Sequence, residues 1–296
     1  MPDPSPHGPL RTVFFAPGTD PDRVQAALDS GADAVVVDLA DPVAPFPEDE
    51  RRAAKAVVRA LVEASTGPTV FVRVRDLAPR RTIADVVDLA GPRLGGIMLP
   101  HIFGPDEVHG ADALLDAAET LTGLPPDQLL LYPILETAQA VRRAYEIATA
   151  SRRIAYMGGA ISRFGDIHAA LGFRWTPRGE ESEFVLAKVL VDVRAAGIRY
   201  PISGIWGGAR DDLDGLRAWA GRLRDLGYRG MMINVAEHVE VVHDVFTPDP
   251  ADVAEWERIA AWDLDAPEAG RRGDRPAVSS VGSAKLNLEW ARSIRP

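Results

Sequence analysis

The chain has 296 residues, with 33 basic and 43 acidic side chains and no cysteine, so its formal net charge is −10. The absence of cysteine excludes thiolate catalysis, disulfide bonds and cysteine-ligated zinc or iron–sulfur sites. The excess of acidic groups argues against a nucleic-acid partner, because such binding depends on basic side chains that neutralise phosphates.

The chain begins with a proline-rich segment, and residues 1–10 lack the basic and apolar regions of a signal peptide. We predict a disordered amino-terminal arm there. No apolar run reaches the ~18 residues that a membrane helix requires, so we expect no membrane partner. Together with the missing cysteine, these features predict a cytoplasmic protein.

Short apolar runs alternate with amphipathic segments along most of the chain, and their continuous apolarity predicts strands buried on both faces. The predicted strands are 12–16, 34–39, 69–74, 95–99, 129–135, 154–157, 202–206 and 231–235. The predicted helices include 21–30, 47–64, 105–122, 138–150, 180–196 and 212–226. Eight strands alternating with helices predict an α/β fold, a (β/α)8 TIM barrel, as a catalytic domain over residues 11–262.

A doubly wound sheet is the alternative fold. The chain has no Gly-x-Gly-x-x-Gly after its first strand and no Gly-x-x-x-x-Gly-Lys, so the barrel is favoured. After Trp262 the sequence becomes linker-like, and a helical pattern returns at 284–294. We predict that residues 263–296 form a carboxyl-terminal linker and a short helical segment, separate from the barrel.

Catalytic groups of a (β/α)8 barrel lie at the carboxyl ends of its strands. The ionisable residues predicted at this rim are Asp38, Asp41, Arg73, Arg75, His101, Glu136 and Asp166. The chain has only three lysines, at Lys55, Lys188 and Lys285, and none follows a predicted strand. A Schiff-base mechanism is therefore disfavoured.

Glu136 and Asp166 are the predicted metal ligands. Carboxylates at neighbouring strand ends repel each other unless a cation lies between them, and oxygen ligands favour a hard ion. We therefore predict Mg²⁺, with Mn²⁺ as an alternative ion. The other interpretation is that Glu136 supports the next helix and that Asp166 is an ordinary helix N-cap.

Arg73 ends an apolar strand, so its side chain is predicted to point into the barrel mouth and bind a substrate carboxylate. An ion pair with Asp38 or Asp41 is the alternative. Asp38 closes the second strand and is predicted to orient a metal-bound water or act as a base, whereas Asp41 before Pro42 also fits a turn. The histidines, His101 among them, are interpreted as structural or surface residues.

With these residues in place, the sequence resembles the family of the citrate lyase β-subunit, malyl-CoA lyase and related metal-dependent aldolases. The motifs that carry the resemblance are Arg11-Thr-Val-Phe-Phe-Ala-Pro-Gly18, Ala32-Asp-Ala-Val-Val-Val-Asp-Leu-Ala-Asp41, Val72-Arg73-Val74, Leu99-Pro100, Leu135-Glu136-Thr137-Ala138, Phe164-Gly165-Asp166-Ile167 and Phe246-Thr247-Pro248. They occur in family order and cover residues 11–262.

The resemblance implies that Glu136 and Asp166 hold Mg²⁺, that Arg73 grips the substrate, and that Gly165 and Asp166 line the substrate site. It implies a carbon–carbon lyase that acts on a 2-hydroxy acid acyl-CoA thioester or a related 2-oxo acid through a metal-stabilised enolate. A thioester hydrolase on the same metal site is one alternative. A catalytically lapsed subunit for oligomerisation or ligand sensing is another.

The tail from residue 263 resembles a lid that covers a neighbouring subunit's site, which implies a homo-oligomer, a trimer or a hexamer. The chain also departs from the family pattern. Ala40 replaces a family Glu, His101 a family Lys, and Asn234-Val235 a family His-Pro. The segment Val281-Gly-Ser-Ala-Lys285 lacks the aspartate usual in the lid. These departures affect groups expected to transfer protons or contact CoA.

Overall fold

The computed structural model describes residues 7–40, 47–75, 81–159, 161–262 and 277–294. Across these residues, seven parallel strands form one curled sheet in the order β5-β4-β3-β2-β1-β7-β6. The strands are β1 Thr12–Pro17, β2 Ala34–Asp38, β3 Thr69–Arg73, β4 Leu94–Leu99, β5 Leu130–Pro133, β6 Ile202–Ser203 and β7 Gly230–Ile233. The prediction of an α/β fold with a parallel sheet is confirmed.

Helices follow the strands along the chain. The predicted helices are present, except that 138–150 is divided into two short helices at Arg143. They are α1 Pro21–Leu28, α2 Glu48–Ala64, α3 Arg81–Leu89, α4 Pro105–Thr122, α5 Ala138–Arg142, α6 Ala144–Ala148, α7 Asp166–Leu171, α8 Glu183–Ala195, α9 Leu213–Leu226, α10 His238–Phe246, α11 Pro250–Ala260 and α12 Val278–Ser293. Local signals explain their ends. The Asp20 side chain caps α1 by accepting from the N–H of Arg23. Gly123, at φ 71°, ends α4 in the left-handed region. Within the described residues, no helix combines the length and apolarity needed to cross a membrane.

The segment 154–157, predicted as the sixth strand, does not form a regular ladder. It pairs with the β5 side through a single parallel bridge between Ile154 and Leu131. On its other side, the N–H of Ile202 donates to the carbonyl of Met157 at 3.4 Å. A Cβ at Gly158 would lie 1.9 Å from the carbonyl oxygen of Ile202, so this close approach requires glycine. Both edges of the seven-stranded sheet are therefore bonded to this segment.

Two apolar layers hold the fold together, one on each face of the sheet. Val35 and Val37 belong to the layer between the sheet and the helices, whereas Ala34 and Val36 belong to the layer on the concave face. This alternation follows from strand geometry, since successive side chains point to opposite faces. The continuous apolarity of β2 thus reflects burial on both sides, as predicted.

Aromatic rings fill the concave face beneath the carboxyl rim. The rings of Phe71 and Tyr132 lie edge to face with centroids 5.7 Å apart, and Phe71 makes a similar contact with Tyr156 at 6.0 Å. The hydroxyl of Tyr156 donates to the carbonyl of Gly8 at 2.8 Å. The interior beneath the rim is therefore a packed core.

The tail helix α12 lies at the amino-terminal ends of the strands. The Arg229 guanidinium, just before β7, is 4.1 Å from the ring centre of Trp290. Arg199, before β6, is 3.1 Å from the carboxylate of Glu289. The helix begins earlier than the predicted 284–294 and contacts the end of the sheet opposite to the predicted rim. Of the predicted arm and linker, residues 1–6 and 263–276 lie outside the described residues, while Leu10 is buried.

Candidate active site

The predicted functional side chains meet at the carboxyl ends of the strands. Asp38 and Arg73 are the last residues of β2 and β3 and are partners in the parallel ladder. Each stands two residues after a side chain of the concave core, Val36 or Phe71. Because strand side chains alternate between faces, Asp38 and Arg73 both lie on the concave face at its carboxyl rim.

Arg73 and Asp38 form a bidentate ion pair. Nε and Nη2 of Arg73 donate to the two carboxylate oxygens of Asp38 at 2.9 and 2.7 Å. Burial by itself lowers the pKa of Arg73, but the hydrogen bonds and charge of Asp38 and of the nearby carboxylates raise it above its ordinary value. Arg73 is therefore a fixed cation. The ion pair with Asp38, predicted as the alternative role of Arg73, is present.

Glu136 reaches the same cluster from the turn after β5. Its N–H donates to the carbonyl of Ile134, and the next residue, Thr137, caps α5 through its side chain. One carboxylate oxygen lies 3.5 Å from Nη1 of Arg73. The side chain is only about a tenth exposed, and burial raises the pKa of Glu136 against the lowering influence of Arg73. This carboxylate is thus under-neutralised by the protein's own groups.

Asp166 completes the cluster as the first residue of α7. Its charge acts on both Glu136 and Arg73, raising the pKa of each. The preceding loop is held by the N–H of Phe164, which donates to Nδ1 of His168 at 2.9 Å. A Cβ at Gly165 would lie 2.4 Å from Oγ of Ser162, so a larger residue there would require the Ser162 side chain to rotate. Asp166 is exposed, and the bonded loop before it fixes its position at the start of α7.

His101, predicted at the rim but interpreted as a structural or surface residue, is a member of the cluster. Its N–H donates to the second carboxylate oxygen of Glu136 at 3.1 Å. One ligand atom from each of His101, Glu136 and Asp166 lies within 4.8 Å of the others. A lone histidine has no spacing signature, so periodicity could not select it. Its place after the fourth predicted strand was the available signal.

These residues fit a divalent cation. Two carboxylates, one from the turn after β5 and one from the first turn of α7, approach each other, and a metal's charge would offset the cost of burial that raises the pKa of Glu136. Mg²⁺ commonly binds through one or two carboxylates and completes its shell with water and substrate oxygens. Glu136 and Asp166 together meet that requirement.

Arg75 and the lysines on α2 and α8 contact groups outside the cluster. Arg75 turns away from the cluster and donates to Asp85 of α3 at 2.9 Å. Lys55 on α2 is 3.1 Å from the same carboxylate. Lys188 on α8 donates to the carbonyl of Val141. Neither of these lysines lies at the rim, in agreement with the disfavoured Schiff base. Residue 41 lies outside the described residues, so its predicted role stays a prediction.

Comparison with known proteins agrees with this geometry. The family model described as HpcH/HpaI aldolase/citrate lyase matches residues 11–236. The chain belongs to this family. An L-malyl-CoA/beta-methylmalyl-CoA lyase of Cereibacter sphaeroides is 32% identical to this member, over 98% of the chain and 97% of that protein. A (3S)-malyl-CoA thioesterase of the same species is 30% identical, over 91% of the chain and 87% of that protein.

Solved structures share the fold. CitE from Mycobacterium tuberculosis, in complex with magnesium, acetoacetate and coenzyme A, aligns with a TM-score of 0.67 and 21% identity, over 97% of this family member and 99% of that chain. A citrate lyase from Burkholderia xenovorans LB400 aligns with a TM-score of 0.79 and 16% identity, over 97% and 93% of the two chains.

The family predicted from the motifs is confirmed, and with it the enzyme class, since relatives of this HpcH/HpaI member are named as lyases that act on malyl-CoA. The magnesium predicted from the oxygen ligands is also the ion in the CitE complexes. Two relatives of nearly equal identity carry different names, lyase and thioesterase. Both reactions considered from the sequence are therefore represented among its relatives.

Proposed function

We propose that this protein is a Mg²⁺-dependent carbon–carbon lyase acting on a 2-hydroxy acid acyl-CoA thioester or a related 2-oxo acid. The observation that carries the proposal is the convergence of the partly buried Arg73 with two carboxylates, Glu136 and Asp166, at one rim of the family fold. This set combines a cation grip for a substrate carboxylate with oxygen ligands for a divalent ion.

In this proposal Glu136 and Asp166 hold the metal ion. When bound, the ion supplies positive charge next to the substrate oxygen on which negative charge develops as the carbon–carbon bond breaks. Gly165 and Asp166 line the substrate pocket. The tight turn at Gly165 lets the backbone before α7 approach a ligand without an intervening side chain.

Arg73 presents its unused donors to the substrate. Asp38 accepts hydrogen bonds from the N–H of Nε and from one N–H of Nη2. Nη1 lies at the long distance of 3.5 Å from Glu136. A guanidinium carries five N–H groups in a planar fork, so the Nη1–Nη2 edge retains donors for a second carboxylate. Asp38 fixes the direction of that edge, and we propose that it also orders a water or carries a proton during turnover.

The remaining architecture is proposed from the sequence pattern and the contacts of the described residues. The bonds of segment 154–157 to both sheet edges support a closed (β/α)8 barrel over residues 11–262. We propose that residues 263–296 act as a linker and lid on a neighbouring subunit of a homo-oligomer, a trimer or a hexamer. A cytoplasmic location stays a prediction. Light scattering of the purified protein measures the subunit count.

A thioester hydrolase is the second candidate function, favoured by the 30% identical thioesterase. Product analysis with a malyl thioester separates the two reactions. Carbon–carbon cleavage releases a 2-oxo acid and leaves the thioester intact, whereas hydrolysis releases a free thiol and leaves the carbon skeleton whole. We expect the 2-oxo acid. Stoichiometric free thiol without 2-oxo acid would establish the hydrolase, and neither product would favour a catalytically lapsed subunit.

A further inference from the structure

We propose that His101 is a third protein ligand of the metal and gives this site a preference for borderline divalent ions such as Co²⁺ and Zn²⁺ over Mg²⁺. The inference rests on the proposed function, because it assumes that Glu136 and Asp166 bind a metal. It goes further by assigning a role to a residue that stands where the family pattern has a lysine.

The backbone holds His101 beside the two carboxylates. Its N–H is bonded to Glu136 at 3.1 Å, and its φ is +50°, in the left-handed region that non-glycine residues rarely adopt. Such a conformation persists where the surrounding structure fixes it. The turn after β4 therefore directs this residue toward the cluster and away from the path that an extended chain would take.

The imidazole is free to bind an ion. Its ring makes no hydrogen bond to the residues that the structure describes, and the side chain is exposed. A ring nitrogen lies within 4.8 Å of carboxylate oxygens of both Glu136 and Asp166. Ligand atoms at ~2.1 Å from one octahedral ion are separated by roughly 3.0 to 4.2 Å. Three ligands of one octahedral ion include at most one opposite pair, so at least two of the three separations must shorten to roughly 3.0 Å, by up to about 1.8 Å. Rotation of the exposed His101 and Asp166 side chains provides this movement.

The chemistry of the donors determines which ion benefits. Mg²⁺ is hard and prefers oxygen, so it gains little from an imidazole nitrogen. Co²⁺, Ni²⁺ and Zn²⁺ bind imidazole well, and their affinity for nitrogen-containing sites exceeds that of Mn²⁺. One nitrogen and two carboxylate oxygens therefore form a set that Mg²⁺ uses in part and the borderline ions use completely.

The test compares metal binding by the full-length, metal-stripped protein and a His101→Asn variant. Asparagine tolerates the left-handed backbone, so the turn is kept while the imidazole is removed. His101→Ala is the second variant, and His109→Ala, which removes an exposed histidine from α4, is the matched control. Calorimetric titration with MgCl₂ and CoCl₂ gives both affinities, and the visible absorption of bound Co²⁺ reports a change of ligands.

We expect His101→Asn to weaken Co²⁺ binding about tenfold or more, since even indirect partners of metal ligands contribute that much, while Mg²⁺ affinity changes less than about twofold. The Co²⁺ spectrum should shift in both variants and stay unchanged in His109→Ala. Unchanged Co²⁺ affinity, or equal losses for Co²⁺ and Mg²⁺, overturns the role of His101 and leaves the proposed function intact. If the wild type binds neither ion, the proposed function itself fails.

Discussion

Two clusters in this protein place an arginine among carboxylates, and they differ in how completely their groups are neutralised. On the outer side of the sheet, the side chain of Arg153 is fully buried and bonded to Glu119 at 2.8 Å by two nitrogens. Further contacts come from Asp112 at 2.7 Å, Asp116 and the carbonyl of Leu129. At the rim, Arg73 forms bidentate hydrogen bonds with one carboxylate, that of Asp38, and lies 3.5 Å from that of Glu136.

The pKa values reflect this difference. Burial by itself raises the pKa of Glu119, but hydrogen bonds from Arg153 and from backbone N–H groups lower it below its ordinary value. Burial raises the pKa of Glu136, and one distant contact with Arg73 does not compensate. A saturated cluster stabilises the fold, whereas a cluster with spare donors and an under-neutralised carboxylate is suited to bind ligands.

The largest expected effect is the loss of activity in Glu136→Gln. This change keeps the shape of the side chain and removes a metal ligand, so we expect activity to fall by about three orders of magnitude or more. The melting temperature should stay within a few degrees of the wild type. Glu119→Gln, an equally conservative change at another buried carboxylate, is the control and should keep its activity. Equal activity of both variants would show that Glu136 has no special role.

Arg153→Met should be the most destabilising of these variants. The change leaves the nearly buried carboxylate of Glu119 without its cation. Breaking a buried pair in this way typically costs about 3–5 kcal/mol of unfolding free energy. Urea denaturation measures the loss, and the folded fraction should retain its metal affinity. A loss below about 1 kcal/mol would mean that the outer cluster is not what stabilises this side of the barrel.

Asp38→Asn should impair substrate binding more than stability. The amide keeps one acceptor for Arg73 but loses the charge and the second acceptor, so the guanidinium fork is no longer fixed in one direction. By analogy with other positioning partners, we expect kcat/KM to fall by about 10- to 100-fold. The metal affinity should be nearly unchanged. A parallel fall in metal affinity would instead make Asp38 part of the metal site.

The smallest expected effect concerns acid stability, where the two buried glutamates should act with opposite sign. The pKa of Glu119 is lowered in the folded state, so its contribution is present above the ordinary value of 4.5 and is lost as the pH falls through the folded pKa. The pKa of Glu136 is raised by burial in the folded state, so in the metal-free protein its charge lowers the unfolding free energy at neutral pH. Protonation of Glu136 removes this cost as the pH falls.

Urea denaturation from pH 7 down to about pH 3, which extends below the ordinary pKa of glutamate, measures both contributions. Glu119→Gln should lose stability less steeply than the wild type on acidification, because it lacks the carboxylate whose protonation destabilises the wild type. Glu136→Gln should lose stability more steeply, because the relief by protonation is gone. If both variants changed the slope in the same direction, the contrast between the clusters would be wrong.

The rim residues could be predicted because their positions follow from strand periodicity. Asp38 and Arg73 end apolar runs, and the β/α alternation places both at the carboxyl side. The regular pairing of segment 154–157 could not be judged, because a short apolar run does not reveal register or the backbone contact at Gly158. The start of α12 was placed late because its first turn contains only small and apolar residues.

Long-range pairings were beyond the sequence. Asp112, Asp116 and Glu119 share one face of α4 and resemble a solvated helix surface, and nothing local indicates that Arg153 binds them. The rim position of His101 was predictable from the sequence, but its meeting with Glu136 and Asp166 was not, since both are far away in the chain. Periodicity predicts which residues reach an edge, and the packing of loops determines which of them meet.

The proposed site is tested most directly by the binding of a 2-oxo acid such as pyruvate, measured by calorimetry with and without Mg²⁺ in the wild type and in Glu136→Gln. We expect binding only when the wild type and the metal are combined, because the ligand needs both Arg73 and an ion held by Glu136 and Asp166. Equal binding without Mg²⁺, or in Glu136→Gln, would contradict this expectation.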